Sequence, residues 1–212
     1  MTTLLGMFGL SYLQARTAGI VVALASFAAA AQAPSDIRVA LVIGNSAYPS
    51  PGELANPAND ATAMSAALRR LGFEVYELRD AGKTQMVREI ERVSEALKGK
   101  RAVGMLYYAG HGLQLDWHNY MVPIDARMNS AAEVPAQAVD INVVLGAFKA
   151  AGNRMNIVVL DACRDNPFSG SGSAKGLAPL DAPQGTFLAY ATAPGNVAGD
   201  GEARTGNGLY TQ

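Results

Sequence analysis

The chain of 212 residues has little of the chemistry that sulfur and imidazole supply. It carries one cysteine, Cys163, and two histidines, His111 and His118. A single cysteine excludes an intramolecular disulfide, and one cysteine with two histidines cannot build a cysteine-rich zinc site of the usual spacing. Charge is scarce as well. Asp, Glu, Lys and Arg make up 17% of the residues and the net charge is −1, which leaves no electrostatic footprint for nucleic acid. No internal repeat and no His-Glu-x-x-His helix occur. The stretch Gly170-Ser-Gly-Ser-Ala-Lys-Gly176 lacks the Lys-Ser/Thr ending and the preceding strand of a phosphate loop. Long apolar runs are missing too. The apolar stretch within 17–31 has about 13 residues, short of the roughly 20 that a membrane span needs.

That stretch has a different use. Arg16 precedes it and the small-x-small sequence Ala31-Gln32-Ala33 closes it, the pattern of a secretory signal. Residues 1–33 are therefore expected to be a signal peptide, with an uncleaved anchor as the alternative. Residues 34–212 then form one domain, periplasmic or secreted, with no membrane span in the mature chain. A lone thiol in an oxidising compartment is a liability, which favours a functional role for Cys163.

Half of the residues are apolar, enough for a real core. Ile37–Ile43 is a β-branched run that reads as a first strand. Asn56 and Pro57 open a helix that runs to about Arg70, with Ala61, Met64, Leu68 and Leu71 on one face and a stop at Gly72. A strand follows at 73–78. Thr84 is expected to cap a second helix carrying Met86, Ile90, Val93 and Leu97 at helical spacing. A buried strand is expected at 103–108, a hairpin around Asp116–Asn119 within 113–124, and a third helix capped by Asp140 with Val144, Leu145 and Phe148. Further strands are expected at 156–160 and 184–192, and a long flexible loop at 169–183. Strands alternating with helices predict an α/β fold with a mainly parallel sheet and helices on both faces.

Two apolar runs deliver the candidate site. Tyr108 ends one, with Ala109-Gly110-His111-Gly112 following; Leu160 ends the other, with Asp161-Ala162-Cys163-Arg164-Asp165 following. Each run places its reactive residue three positions past the last apolar residue. On neighbouring parallel strands, both emerge at the carboxyl edge where open α/β sheets build their sites. A thiol beside an imidazole is the constellation for nucleophilic attack on an acyl carbon. Arg164 would favour the thiolate. His118 lies in a polar turn and reads as a surface residue.

The paired motifs resemble a known family. Caspases carry an Ala-Cys motif with the histidine about 50 residues upstream, and here Cys163 follows His111 by 52 positions. Val39-Ala-Leu-Val-Ile-Gly-Asn45, Asn56-Pro-Ala-Asn-Asp-Ala61, Tyr107-Tyr-Ala-Gly-His-Gly112, Asn119-Tyr-Met-Val-Pro-Ile-Asp125, Asp161-Ala-Cys-Arg-Asp-Asn-Pro-Phe168 and Ala189-Tyr-Ala-Thr-Ala-Pro-Gly195 resemble bacterial caspase-like peptidases, relatives of metacaspases within the peptidase C14 group. The likeness covers about 37–212 and implies a caspase-like three-layer fold. The domain looks truncated at its C-terminal end, since 206–212 reads as a loop entering another helix.

The resemblance implies a cysteine endopeptidase acting on proteins or peptides. Cys163 would be the nucleophile and His111 the acid–base partner, with the backbone N–H groups of Gly112 and Cys163 as oxyanion hole and no third triad member. Caspases carry Gln where Asp161 stands and bind an acidic P1 side chain. An Asp there suits Arg or Lys, and metacaspases pair it with a second Asp that matches Asp60. Asp60 and Asp161 are thus the candidate S1 residues; Asp165 either joins them or pairs with Arg164. No metal or other cofactor is implied, although some metacaspases need calcium and Asp200-Gly-Glu202 is an acidic loop. Caspase-type enzymes are often cut between the nucleophile strand and the next, and Lys175-Gly176 is the basic candidate there. The rival readings are a catalytically silent caspase-like binding module and a redox or thioester enzyme using the same thiol. Nothing in the sequence specifies an oligomeric state.

Overall fold

The computed structural model describes residues 36–49, 52–164, 177–191, 208 and 211. The expected signal at 1–33, Asp165, Lys175-Gly176 and Asp200-Gly-Glu202 lie outside the described residues. So does the suspected C-terminal helix entry, except for Gly208 and Thr211. Among the described residues no helix is long and apolar enough to cross a membrane.

Five parallel strands form the centre of the sheet: β1 (Ile37–Gly44), β2 (Glu74–Arg79), β3 (Ala102–Leu115), β6 (Met155–Arg164) and β7 (Thr186–Tyr190). β1 lies between β2 and β3, and β6 lies between β3 and β7. The C-terminal end of β3 turns back into β4 (His118–Met121), an antiparallel partner that also pairs with the two-residue β5 (Val139–Asp140).

The period of two along β1 sorts its side chains into two cores. Val39, Leu41 and Ile43 face a layer built with Met86, Ile90, Val93 and Leu97 of α2 (Lys83–Leu97) and Val144 and Phe148 of α4 (Ile141–Ala151). Ala40 and Val42 face the opposite layer, which contains Ala61 and Leu68 of α1 (Pro57–Arg70). Helices therefore cover both faces, the three-layer arrangement expected. Each fully buried Leu, Ile or Phe contributes about 1.5–3 kcal/mol. The near-continuous apolar character of β1 and β3 is what a strand buried on both faces requires.

Several local expectations hold and several are corrected. Asn56 is the N-cap residue of α1 and Pro57 follows it, but no side-chain cap bond comes from Asn56. Instead the Ala58 N–H donates to Ser46 Oγ at 3.0 Å, from the loop after β1. Thr84 does not cap α2. The helix starts at Lys83, whose N–H donates to Asp125 Oδ1 at 3.0 Å, and a Cβ on Gly82 would stand 2.5 Å from Asp125 Oδ2. A tertiary carboxylate and a glycine have replaced the local hydroxyl cap. Asp140 caps α4 as expected, accepting from Asn142 N–H at 2.8 Å. A short 3-10 turn at Ala131–Glu133 and the four-residue α3 (Val134–Gln137) were not expected.

The hairpin is present, with a two-residue turn at Asp116 and Trp117. Both have positive φ, 48° and 66°, which matches strand twist in tight hairpins. Two strands are longer than the apolar runs suggested, whereas the one expected at 184–192 is shorter, β7 beginning only after a turn at 184–185. β3 continues through Gly110-His111-Gly112 to Leu115, and β6 continues to Arg164, because β4 and the β3–β6 ladder supply backbone partners beyond the apolar segments. Of the expected loop 169–183 the described residues are 177–183, which form no helix or strand. Leu177 and Ala178 are buried, and buried Asn119 clamps Ala178 with two bonds, Nδ2 donating to Ala178 O at 2.9 Å and Oδ1 accepting from Ala178 N–H at 2.7 Å.

Candidate active site

His111 and Cys163 are register partners in the parallel β3–β6 ladder, inside the strands rather than in loops after them. The equal three-residue offset from Tyr108 and Leu160 becomes a direct pairing because Tyr108 and Leu160 are themselves partners. Gly112, expected just past the end of a strand, has ladder partners on both sides, Met121 in β4 and Arg164 in β6. The side chains of Cys163 and Arg164 lie outside the described residues.

The His111 ring is half-buried and its Nε2 lies 2.8 Å from the Gly52 carbonyl oxygen. A carbonyl only accepts, so Nε2 carries the hydrogen, and Nδ1 of the neutral ring holds the basic lone pair. Tyr48 packs edge-on against the ring, with centroids 4.5 Å apart and planes at 61°. Its hydroxyl accepts the His111 N–H at 3.1 Å. Tyr108 donates to the His111 carbonyl at 2.6 Å. Burial pushes the Tyr48 phenol up to about 12 and that of Tyr108 well above its ordinary value, so both remain neutral donors at ordinary pH.

Asp60 and Asp161 come together. Val159 lies in the core on the α1 side of the sheet, and Asp161, two residues on, has the same side. Asp60 is buried in the first turn of α1, where a carboxylate also complements the helix dipole. Its Oδ1 accepts from Gly208 N–H at 2.8 Å and from the Thr211 hydroxyl. Tyr107 donates to Asp161 Oδ2 at 3.0 Å. The two carboxylates converge on Gly208: a Cβ there would be 2.9 Å from Asp60 Oδ2 and 3.8 Å from Asp161 Oδ2. His118 stays apart from all of these. It is exposed and its Nδ1 lies 2.7 Å from Asp140 Oδ2.

Sequence reading missed Tyr48, Gly52, Tyr108 and Gly208. Tyr48 and Gly52 lie in the segment after β1, whose carboxyl end adjoins that of β3. A tyrosine in a Pro/Gly-rich segment at that edge was the available signal. Among the described residues no group of three or more His, Cys, Asp or Glu could hold a metal ion.

Comparison with known proteins adds the relationship. The chain is 32% identical over 127 residues to the mucosa-associated lymphoid tissue lymphoma translocation protein 1 homolog of Mus musculus, and equally to the Homo sapiens protein. Each match covers 60% of this chain and 15% of the relative, so the chain spans a small part of those proteins' length. A crystal structure of protein GSU0716 from Geobacter sulfurreducens superposes with a TM-score of 0.48 at 25% identity, covering 60% of this chain and 50% of that one. The caspase-domain profile of peptidase C14 matches residues 37–212. With its three-layer α/β sheet and a family match over residues 37–212, the chain belongs to the caspase-domain family, peptidase C14, and 37–212 is a protease-like domain.

Proposed function

We propose that the domain is a cysteine endopeptidase that works through a His111–Cys163 dyad and cleaves after Arg or Lys. The observation that carries the reading is the direct pairing of His111 with Cys163 on adjacent parallel strands. The Gly52 carbonyl supports it by holding the hydrogen on Nε2 and leaving Nδ1 as the base.

In this reading His111 takes the thiol proton and the Cys163 thiolate attacks the scissile carbonyl carbon. The developing oxyanion is met by the backbone N–H groups of Gly112 and Cys163. Collapse breaks the C–N bond, and the departing amine takes the proton from His111. A thioester remains on Cys163. His111 then activates water, which hydrolyses the thioester and restores the thiol.

The P1 preference rests on the convergence of Asp60 and Asp161 at Gly208. Two carboxylates facing one side chain favour a guanidinium or ammonium and leave an acidic side chain unpaired in a desolvated place. No metal enters any step. The test is a peptide library varied at P1, assayed with the parent protein and with Cys163→Ala. Cysteine-dependent cleavage after Arg or Lys is expected. Equal hydrolysis by the variant, or efficient cleavage after Asp, overturns the reading.

A further inference from the structure

We propose that Tyr48 and Tyr108 are positioning residues for His111, two buried phenols that clamp its peptide unit and set the reach of its imidazole towards β6. The inference rests on the peptidase reading above. It begins from a break in the sheet. The β1–β3 ladder ends at the Gly44–Ala109 pair and the β3–β4 ladder begins at the Gly112–Met121 pair. Gly110 and His111 fall between the two ladders, where neither β1 nor β4 gives them a register partner.

The phenols fill that gap. The His111 N–H donates to Tyr48 Oη at 3.1 Å, and the His111 carbonyl accepts from Tyr108 Oη at 2.6 Å. The His111 carbonyl also accepts from Val122 N–H at 3.0 Å. Both hydroxyls are anchored on Val122 in turn: Tyr48 donates to its carbonyl at 2.9 Å and Tyr108 accepts from its N–H at 3.1 Å. The two oxygens stand 3.2 Å apart. Three separate parts of the chain, the segment after β1, β3 itself and the segment after β4, thus converge on one peptide unit.

Two features tie this cluster to the imidazole rather than to the fold alone. The Tyr48 ring meets the His111 ring edge-on at 4.5 Å, so one side chain holds both the backbone and the ring of residue 111. And the approach needs glycine at 110. Its φ is +153°, and a Cβ would lie 2.6 Å from Tyr48 Oη and 2.8 Å from Tyr108 Oη. Because burial keeps both phenols protonated, the clamp persists across the pH range in which a thiol–imidazole pair works.

Tyr48→Phe removes the hydroxyl and keeps the ring. Two readouts are taken on the parent, Tyr48→Phe, His111→Ala and the double variant. One is kcat and KM on a peptide with Arg at P1. The other is the rate of Cys163 alkylation by iodoacetamide against pH, which reports on one thiol because the chain has one cysteine. Tyr48→Phe is expected to lower kcat about tenfold with KM within about twofold. Its alkylation profile should move towards that of His111→Ala, and the double variant should match His111→Ala alone. An unchanged kcat and profile, or the same further loss in the His111→Ala background, overturns the proposal. If Tyr48→Phe does not fold, Tyr108→Phe is read in the same way. A parent protein that hydrolyses no peptide overturns the peptidase reading; the alkylation profiles then still decide whether Tyr48 acts through His111.

Discussion

His111 and Cys163 face each other across one rung of the β3–β6 ladder. Parallel strands hold such a rung rigidly, since a slip of one residue would turn every core side chain of β6 to the wrong face. The pairing therefore carries the stability of the sheet behind it.

Cys163→Ala should abolish hydrolysis of basic-P1 peptides while circular dichroism and the melting transition stay close to the parent. His111→Ala should cost at least about a hundredfold in kcat, the usual range for loss of a general acid–base group. His118→Ala should change activity less than about twofold, as surface substitutions do. A critical His118 would place the reacting site elsewhere.

Asp60→Asn and Asp161→Asn should each reduce kcat/KM for Arg at P1 by about tenfold to a hundredfold, the loss of one hydrogen bond to a charged group. The double variant should lose most of its preference for Arg and Lys over Asp. Unchanged selectivity across a P1 series in the double variant would remove both residues from the pocket.

Gly208→Ala puts a methyl group against Asp60 Oδ2 and near Asp161 Oδ2. The expected outcome is about a tenfold fall in kcat/KM for Arg at P1, with a smaller fall for a substrate bearing a small neutral P1. Equal falls for both substrates would mean that the glycine serves the fold and not the pocket.

Tyr48 gives a pH test of stability. Its folded value, raised by burial from 10.0 to about 12, lies above its unfolded value. The neutral phenol's contribution is therefore fully present below pH 10 and is lost as pH rises through about 12. The loss is on the order of 2–3 kcal/mol. Urea unfolding at pH 9 and pH 11.5 should show the parent weakening more than Tyr48→Phe; an equal change in both would contradict burial as the cause.

Asn119 decides what happens if the chain is cut at Lys175-Gly176. Incubated parent protein should yield two fragments by mass spectrometry, and Cys163→Ala should remain one chain. Since Asn119 holds Ala178 by two buried bonds, the fragments should co-elute in native size exclusion. Asn119→Ala should lower stability by about 2 kcal/mol or more, because Ala178 N–H and C=O each lose a bond. A parent that stays intact excludes self-processing at this position.

The sequence by itself determined the strand–helix alternation, the two-sided core and the two residues at the candidate site. The reason is that these are local patterns: apolar runs, helical spacing at Met86, Ile90, Val93 and Leu97, and one cysteine with two histidines to choose from. The Asp60–Asp161 pair was reached through family resemblance, and the fold brings both to Gly208. What only the tertiary structure decided depends on contacts distant in sequence. Ser46 and Asp125 took over caps that local rules assigned to Asn56 and Thr84. Asn119 holds Ala178, in the described end of a stretch whose composition of Gly, Ser, Ala and Pro read as flexible. Gly110 and Gly112, which read as lying past the end of a strand, continue it because β6 pairs with both and β4 with Gly112. The Tyr48, Tyr108 and Gly52 contacts to His111 leave no periodic trace in the chain. They exist because a gap between two ladders left the His111 peptide group to be satisfied by whatever polar atoms the fold brought there.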